Sequence, residues 1–336
     1  MKIFFSFLVL CLALVNGWTD APSAIAGCVS TRALRPRSAL ILAGICNFLG
    51  VAVMAILSPT VAKTLYGIAD FGSDGKSAII SLCTALITVI LWASLAAIKG
   101  LPTSESHALI SSVCGSAFAT NMSFSSIQLK EWNSVILGII ISTFPVSLLS
   151  MLIYKLSTRA FRNQDRRKTM RYFTRVQRVS AGISSFLHGA QDSQKFIGVY
   201  MLGLSFIGAE TFTAEEGFKI PLAITIACAL AMTAGTFIGG SKIIKKVGCE
   251  MTTLDPLSSS AADTASSSFL GVCSFLGIPT ATTQAKTCAM MGIGLCKKGS
   301  TNKKVVTELF CAWLLTFPAC ATVSFLLSLC ANAIFL

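Results

Sequence analysis

The chain has 336 residues, of which 54% are apolar and only 12% are charged. A soluble domain carries about 25% charged residues because water must wet its surface, so this composition excludes a soluble globule and indicates a surface in lipid. The net charge of +13 lies mostly in short gaps between apolar segments. This placement is typical of the cytoplasmic loops of membrane proteins and argues against nucleic-acid binding.

The N-terminal half contains several apolar segments of membrane-spanning length. The first, residues 3–15, follows Lys2 and is similar to a secretory signal. We predict that it is retained as a helix, because the residues after it recur later in the chain. Further runs cover 38–57, 77–98 and 135–154, each close to the roughly 20 residues that cross a bilayer core as a helix. They lack the alternation of a transmembrane barrel, so helices are predicted.

A strongly basic stretch, residues 155–178, lies in the middle of the chain. It contains nine Lys or Arg residues and a single acid, Asp165. We predict that it is a cytoplasmic linker, because Lys and Arg mark the cytoplasmic side of a membrane protein. It would separate an N-terminal repeat, residues 1–154, from a C-terminal repeat, residues 179–336.

The C-terminal half repeats two motifs of the N-terminal half in the same order. Residues 16–23 match 188–195 at a shift of 172 residues, and residues 100–108 match 277–285 at a shift of 177.

All basic clusters fall on one side of the membrane if each half makes an odd number of passes. The acidic loop with Glu210, Glu215 and Glu216 then lies on the other side. The predicted fold is therefore an all-α membrane protein of two inverted repeats, with about five passes each.

Matching helix interruptions are predicted at the first motif of each repeat. Gly17 and Pro22 flank Asp20, and Gly189 precedes Asp192. Inverted repeats with broken helices are the usual plan of secondary transporters, whose sites lie near the membrane midplane. A charge at the bilayer centre costs at least about 2.5–3.5 kcal/mol, so both acids are predicted to be functional. Carboxylates at this depth can bind Na⁺ or take up a proton.

The second motif of each repeat is a loop rich in hydroxyl groups. Pro102-Thr-Ser-Glu-Ser106 follows Gly100, and Pro279-Thr-Ala-Thr-Thr283 follows Gly277. Proline followed by hydroxyl residues is typical of a helix N-terminus, whose free N–H groups and partial positive charge attract anions. Two such ends meeting near the midplane are expected to cage a tetrahedral oxyanion. A cation on the aspartates would reduce their repulsion of that anion, which is a physical basis for symport.

Other polar residues near these motifs are candidates for gating or coupling. These are Glu105, Lys195, Asp263 and Lys286. We expect Glu105 and Lys286 to meet across the pseudo-twofold axis as an ion pair, because each alone would be an expensive buried charge. The alternative is that Lys286 extends to the outer interface while Glu105 faces water. For His107 and His188, which are not duplicated, packing and proton handling both stay open.

The four motifs resemble the paired signatures of the inorganic phosphate transporter (PiT) family in its compact form. Asn16-Gly-Trp-Thr-Asp20 and His188-Gly-Ala-Gln-Asp192 are similar to its paired Gly-Ala-Asn-Asp signatures, and the Gly100 and Gly277 segments are similar to its paired serine-rich loops. The resemblance covers nearly the whole chain. It implies a symporter of inorganic phosphate coupled to H⁺ or Na⁺, without another cofactor, as a homo-oligomer in the plasma membrane.

The resemblance also implies roles for individual residues. Cation binding is placed at Asp20, Asp192, Thr19, Ser23, Gln191 and Gln194. Phosphate binding is placed at Thr103, Ser104, Ser106, Thr280, Thr282 and Thr283.

Several positions depart from the family pattern. Thr19 and Gln191 replace Asn, Ser23 replaces a further Asn, Ala281 replaces a loop Ser, Gln284 replaces a loop His, and Asp263 replaces Glu. The loss of these Asn oxygens argues against a standard Na⁺ site, and the loss of the loop Ser removes one donor to the anion. A permease for sulfate or another oxyanion, and a transport-inactive sensor or structural relative, are the alternatives. An enzyme is not predicted, because neither a His-Glu-x-x-His motif nor a nucleophile–base pair is found.

Overall fold

The computed structural model describes residues 1–57, 60–208, 212–213, 217–218, 220–297 and 300–336. The N-terminal half forms helices α1 (Lys2–Thr19), α2 (Ala21–Ser30), α3 (Pro36–Leu57), α4 (Thr60–Tyr66), α5 (Gly75–Ile98), α6 (Glu105–Asn121) and α7 (Leu129–Ala160), with a 3₁₀ turn at Phe124–Ser126. The C-terminal half forms α8 (Arg166–Ser205), α9 (Leu222–Ile238), α10 (Ser241–Lys245), α11 (Pro256–Leu276), α12 (Thr282–Cys296) and α13 (Lys303–Phe335), with a π-helical turn at Lys246–Glu250. Two short antiparallel strands, β1 (Phe212–Thr213) and β2 (Gly217–Phe218), precede α9. The predicted acidic loop of Glu210, Glu215 and Glu216 lies outside the described residues.

The outer surface is apolar, as the composition predicts. On α7, Ile140, Phe144 and Leu148 follow one another at four-residue spacing and are 53%, 70% and 64% exposed. Such a continuous exposed stripe is incompatible with water and therefore faces lipid. Among the described helices, α1 with α2, α3, α5, α7 and α13 are each long and apolar enough to cross a membrane. The bent pair of α9 and the segment after it, angled by 65°, makes a sixth if it is one span.

The interior helices are less apolar than the outer ones. In α12 every side chain from Thr282 to Gly294 is buried, including two threonines in succession, a glutamine and a lysine. The helices α6, α8 and α11 also bury hydroxyl and charged side chains within the bundle. Such helices do not show a simple hydropathy signal, because protein rather than lipid surrounds them. The count of about five passes per repeat stays a prediction.

Helices at matching positions in the two repeats pack in reciprocal pairs across the two halves. Helix α1 packs against α9, and α8 packs against α3. Helix α6 packs against α13, and α12 packs against α7. These reciprocal pairs are the arrangement expected of two repeats related by a pseudo-twofold axis. The opposite orientation of the repeats in the membrane stays a prediction.

Glycines allow the helices of these reciprocal pairs to approach closely. A Cβ atom on Gly17 would lie 2.0 Å from the backbone of α9, and one on Gly235 would lie 1.9 Å from the backbone of α1. The contact between α8 and α3 has the same form, with 2.4 Å at Gly189 and 2.0 Å at Gly50. No side chain fits in these gaps, so the backbones are in direct contact, as is common between membrane helices.

The predicted helix break is present in the first repeat but not in the second. Helix α1 ends at Thr19 and α2 begins at Ala21, so Asp20 occupies the break. Helix α8 instead runs without interruption through Gly189 and Asp192, and the prediction of a break there is wrong. The position that matches Pro22 in the repeat is Gln194, whose backbone N–H can continue the helix.

The basic stretch 155–178 is mostly helical. Helix α7 continues to Ala160 and α8 begins at Arg166, so only residues 161–165 form a turn. Asp165 caps α8, because its side chain accepts a hydrogen bond of 2.8 Å from the backbone N–H of Lys168. The cytoplasmic location of this helical hairpin, and its role as the boundary between the repeats, stay predictions.

Candidate functional site

The two predicted aspartates meet inside the bundle. Asp20 and Asp192 come from different repeats and are only 3% and 1% exposed. The amide nitrogen of Asn16 lies 3.1 Å from Asp192 Oδ2 and 3.5 Å from Asp20 Oδ2 and so bridges the two carboxylates. The helices on either side of the break, α1 and α2, both contact α8.

A histidine joins this pair. His188 Nε2 lies 3.4 Å from Asp192 Oδ2, while His188 Nδ1 and Asn47 Oδ1 are 3.1 Å apart. One ligand atom from each of Asp20, His188 and Asp192 lies within 4.8 Å of the others, and all three residues are buried. Two carboxylates and a ring nitrogen at this separation have the composition of a cation site.

Glu105 adds a third buried carboxylate at the start of α6. It is 3% exposed and accepts a hydrogen bond from Thr19, the residue before Asp20. Among the described residues, neither Glu105 Oε2 nor Asn16 Oδ1 has a hydrogen-bond partner. Buried oxygens are rarely left without a donor or a cation. The cluster therefore has acceptor capacity that the protein itself does not use.

Lys195 places one positive charge beside these acids. Its ammonium group pairs with Asp192 Oδ1 and donates to Ser106 Oγ at 2.5 Å and to the carbonyl oxygen of Thr280 at 2.6 Å. The side chain is almost completely buried. It reaches both hydroxyl-rich loops, although it comes from neither of them.

The two hydroxyl-rich loops meet, and each leads into a helix N-terminus as predicted. Helix α6 begins at Glu105 and α12 begins at Thr282. Ser104 caps α6 by accepting from the backbone N–H of His107 at 3.2 Å. Across the loops, Ser106 donates to the carbonyl oxygen of Thr280 at 3.3 Å.

Most of the predicted phosphate-binding hydroxyls also contact other protein groups. Thr282 donates to Asp192 Oδ2 at 3.1 Å, and Thr280 Oγ1 accepts from Gln191 at 3.0 Å. Thr283 Oγ1 is 3.4 Å from the hydroxyl of Ser23. Thr103 is buried in the loop ahead of α6. The loops thus form one surface with the aspartate cluster rather than a separate cage.

The predicted neighbours of the cation site divide into two groups. Thr19 donates to Glu105, the third acid of the cluster, and Ser23 donates to the backbone carbonyl of Asp20 at 2.7 Å. Gln191 instead donates to the carbonyl oxygen of Ile278 at 2.9 Å. Gln194 accepts from the backbone N–H of Val61 at 3.0 Å. Both glutamines therefore join neighbouring segments together, and their described contacts are not with the aspartates.

The predicted ion pair between Glu105 and Lys286 is wrong. Lys286 pairs with Asp263 of α11 and lies 3.3 Å from Ser184 Oγ of α8. Lys286 is 2% exposed and Glu105 is 3% exposed, so the alternative of solvent-facing charges is also wrong. Lys286 lies a full turn inside α12, where its side chain meets α8 and α11 instead of α6. Gln284, at the family's His position, donates to Thr143 of α7 at 3.0 Å.

The sequence analysis did not place Asn16 or His188 in the aspartate cluster. These two residues occupy matching positions in the repeat, each four residues before its aspartate. On a helix this spacing places the side chains on one face. Both contact Asp192 in the structure. The shared spacing was the available signal, but their different residue types obscured it.

Comparison with known proteins gives consistent matches. A family model described as "Phosphate transporter family" matches residues 16–324. A probable low-affinity inorganic phosphate transporter of Bacillus subtilis (strain 168) is 31% identical over all of this chain and 98% of its own. One of Rhizobium meliloti (strain 1021) is 32% identical over 99% of this chain and 95% of its own. A solved structure titled "The sodium-dependent phosphate transporter" has the same fold, with a TM-score of 0.89 over 99% of both chains at 19% identity.

Proposed function

This multi-pass membrane protein belongs to the phosphate transporter family, and we propose that it moves inorganic phosphate in symport with Na⁺ or H⁺ that binds at the Asp20–Asp192 cluster. The plasma membrane is its expected location, and a homo-oligomer its expected state. The solved structure with the same fold is titled as sodium-dependent, which supports Na⁺ as a candidate. The buried carboxylates can equally take up protons.

The unused acceptor oxygens of the cluster carry this proposal. Asn16 Oδ1 and Glu105 Oε2 are buried beside Asp20 without a hydrogen-bond partner among the described residues. Oxygen ligands of this kind suit a hard cation, and a carboxylate can alternatively be protonated. Three ionised acids and one lysine leave two formal negative charges, which repel phosphate until cations compensate them. Cation binding would therefore precede or accompany anion binding.

Phosphate is proposed to bind where the N-termini of α6 and α12 meet. Thr103, Ser104, Ser106, Thr280, Thr282 and Thr283 supply hydroxyl groups there, and each helix start adds backbone N–H groups. Because Thr282 already donates to Asp192, anion and cation would share ligands. This sharing couples the two binding events, because each ion, when it binds, orders protein groups that the other ion needs.

Uptake by purified protein in proteoliposomes tests the proposal. Labelled phosphate should accumulate when a Na⁺ or pH gradient is imposed, and the gradient that drives uptake identifies the coupled ion. Asp20→Asn and Asp192→Asn should each abolish accumulation while the protein still inserts, because the cation loses a charged ligand. Asp74→Asn is the matched control, since Asp74 is exposed and asparagine retains its role as the cap of α5.

Other outcomes of the same assay distinguish the alternatives. Preferential uptake of labelled sulfate would favour an oxyanion permease of different specificity. Absence of uptake of either anion under both gradients would indicate a transport-inactive relative. Normal accumulation by both aspartate variants would contradict the proposed cation site.

A further inference from the structure

The ammonium group of Lys195 has the surroundings of a bound cation. It projects from α8 one turn after Asp192 and pairs with Asp192 Oδ1. Its other two contacts are Ser106 Oγ in the first loop and the carbonyl oxygen of Thr280 in the second. One carboxylate, one hydroxyl and one carbonyl oxygen are the ligand types that hard cations select in proteins.

These contacts use the full donor capacity of the group. A lysine ammonium has three N–H donors and no acceptor, and here each donor makes a hydrogen bond to one oxygen. Lys195 is among the largest fully buried side chains of the described residues, so water does not screen its charge. The lysine thus acts as a point charge held in an oxygen cage that connects both repeats.

We infer that Lys195 is a built-in cation that takes the place of one transported cation and so lowers by one the number of positive ions that must accompany each phosphate. This inference rests on the proposed symport at the Asp20–Asp192 cluster. With Asp20, Glu105 and Asp192 ionised, the three acids and Lys195 leave two formal negative charges at the site. Without Lys195 there would be three, and one more mobile cation would be needed for the same compensation.

A direct role of Lys195 in phosphate binding is the competing interpretation. It would require the ammonium to leave at least one of its three oxygens, because no donor remains free for the anion. Such a lysine would change the affinity for phosphate and leave the cation requirement as it is. A built-in cation would change the cation requirement itself. The two interpretations therefore differ in what a charge-removing substitution does.

The chain contains a matched control for this substitution. Lys286 is the other fully buried lysine among the largest buried side chains, and it too is paired with an aspartate, Asp263. Its described contacts are with α8 and α11 rather than with the loops. Lys286→Met therefore measures the general effect of removing a buried positive charge from the bundle.

The first measurement is the melting temperature of purified Lys195→Met as a function of Na⁺ concentration, with K⁺ or choline keeping ionic strength constant. Na⁺ should stabilise Lys195→Met in a saturable manner beyond its effect on the unchanged protein, because the ion enters the oxygen cage. Lys195→Arg, which keeps the charge, and Lys286→Met should respond as the unchanged protein does. The double variant Lys195→Met with Asp192→Asn should lose the added response, since the cage then lacks its carboxylate.

The second measurement is the charge moved per phosphate in proteoliposomes, from current and labelled uptake together. Lys195→Met should move one more positive charge per phosphate than the unchanged protein, whether Na⁺ or H⁺ fills the place. An unchanged charge ratio together with an unchanged Na⁺ response would overturn the inference, and a raised half-saturation for phosphate would then identify Lys195 as an anion ligand. Failure to recover Lys195→Met from Na⁺-containing buffer would also contradict it. If the unchanged protein moves no phosphate, the proposed function fails, whereas the melting measurement still decides whether the cage accepts Na⁺.

Discussion

At the scale of single residues, buried charge is held by a few specific partners. Lys286 and Asp263 illustrate this away from the proposed cation cluster. Asp263 accepts from Lys286 on one oxygen and from Ser180 on the other at 3.0 Å, and both charged residues are almost fully buried. A buried pair of this kind contributes little net stability, but either member alone is costly.

Removing one member should therefore destabilise the protein more than removing both. We expect Lys286→Met and Asp263→Asn each to cost about 3–5 kcal/mol, because the surviving charge is left without a counter-ion. The double variant should recover much of this loss. Melting temperatures in detergent check the cycle, with Lys245→Met in the exposed Lys245–Glu250 pair as a control that should change little. Additive effects of the two substitutions would show that the charges do not interact.

At the scale of elements, local sequence decides where helices begin. Asp255 and Ser258 form a reciprocal capping box ahead of α11, with Pro256 at its first position. Lys297 adds a charged hydrogen bond of 2.5 Å to the same carboxylate. Burial alone raises the pKa of Asp255, but the hydrogen bonds from Lys297 and Ser258 and the charge of Lys297 outweigh it, so the pKa lies below its usual range.

Asp255→Ala should destabilise the protein by about 0.5–2 kcal/mol, because α11 loses its cap. The charge-dependent part of this loss follows from the lowered pKa. The carboxylate stabilises the folded state fully above its unfolded pKa of about 3.9 and ceases to do so as pH falls through the lower folded value. Melting curves should thus show the largest difference from the unchanged protein near neutral pH and a smaller one in strong acid. Asp255→Asn keeps a capping oxygen without the charge and should vary less with pH.

Helix packing gives a second prediction at this scale. Gly17→Ala and Gly235→Ala should each destabilise the protein by at least roughly 1–3 kcal/mol, because the new methyl group meets the backbone of the facing helix. Gly271→Ala is the control, since the nearest atom to its Cβ would be 3.9 Å away. That substitution should be neutral or slightly stabilising in a helix. Equal melting temperatures for all three variants would mean that α1 and α9 do not pack as described.

At the scale of the whole molecule, charge predicts the orientation in the membrane. An epitope inserted between Asn163 and Gln164, in the turn of the basic hairpin, should be accessible only from the cytoplasm. A tag after Leu336 should be accessible from outside, because an odd number of passes separates the two positions in the predicted topology. Antibody labelling of intact and permeabilised cells measures both. Labelling of the hairpin tag in intact cells would reverse the predicted orientation, and labelling of both tags from one side would contradict an odd count.

The class of the protein and the local features of its site could be predicted from the amino-acid sequence alone. Long apolar segments predict membrane helices because backbone groups in lipid must be satisfied within their own segment. Gly-Pro-hydroxyl patterns predicted the starts of α6 and α12 because these residues act within one turn of chain. The repeated motifs singled out Asp20 and Asp192 in the same way, since both identity and spacing can be read along the chain.

The pairing of charged side chains depends on how the helices pack and could not be predicted from the sequence. Lys286 pairs with Asp263 rather than Glu105, and Lys195 joins Asp192 to both loops, although nothing local specifies either choice. The continuity of α8 through Asp192 was equally unpredicted, since Gly189 serves packing against α3 there and not a break. These outcomes depend on the rotation and depth of helices that are distant in sequence. Close contacts set that rotation, and the contacts exist only once the repeats have packed together.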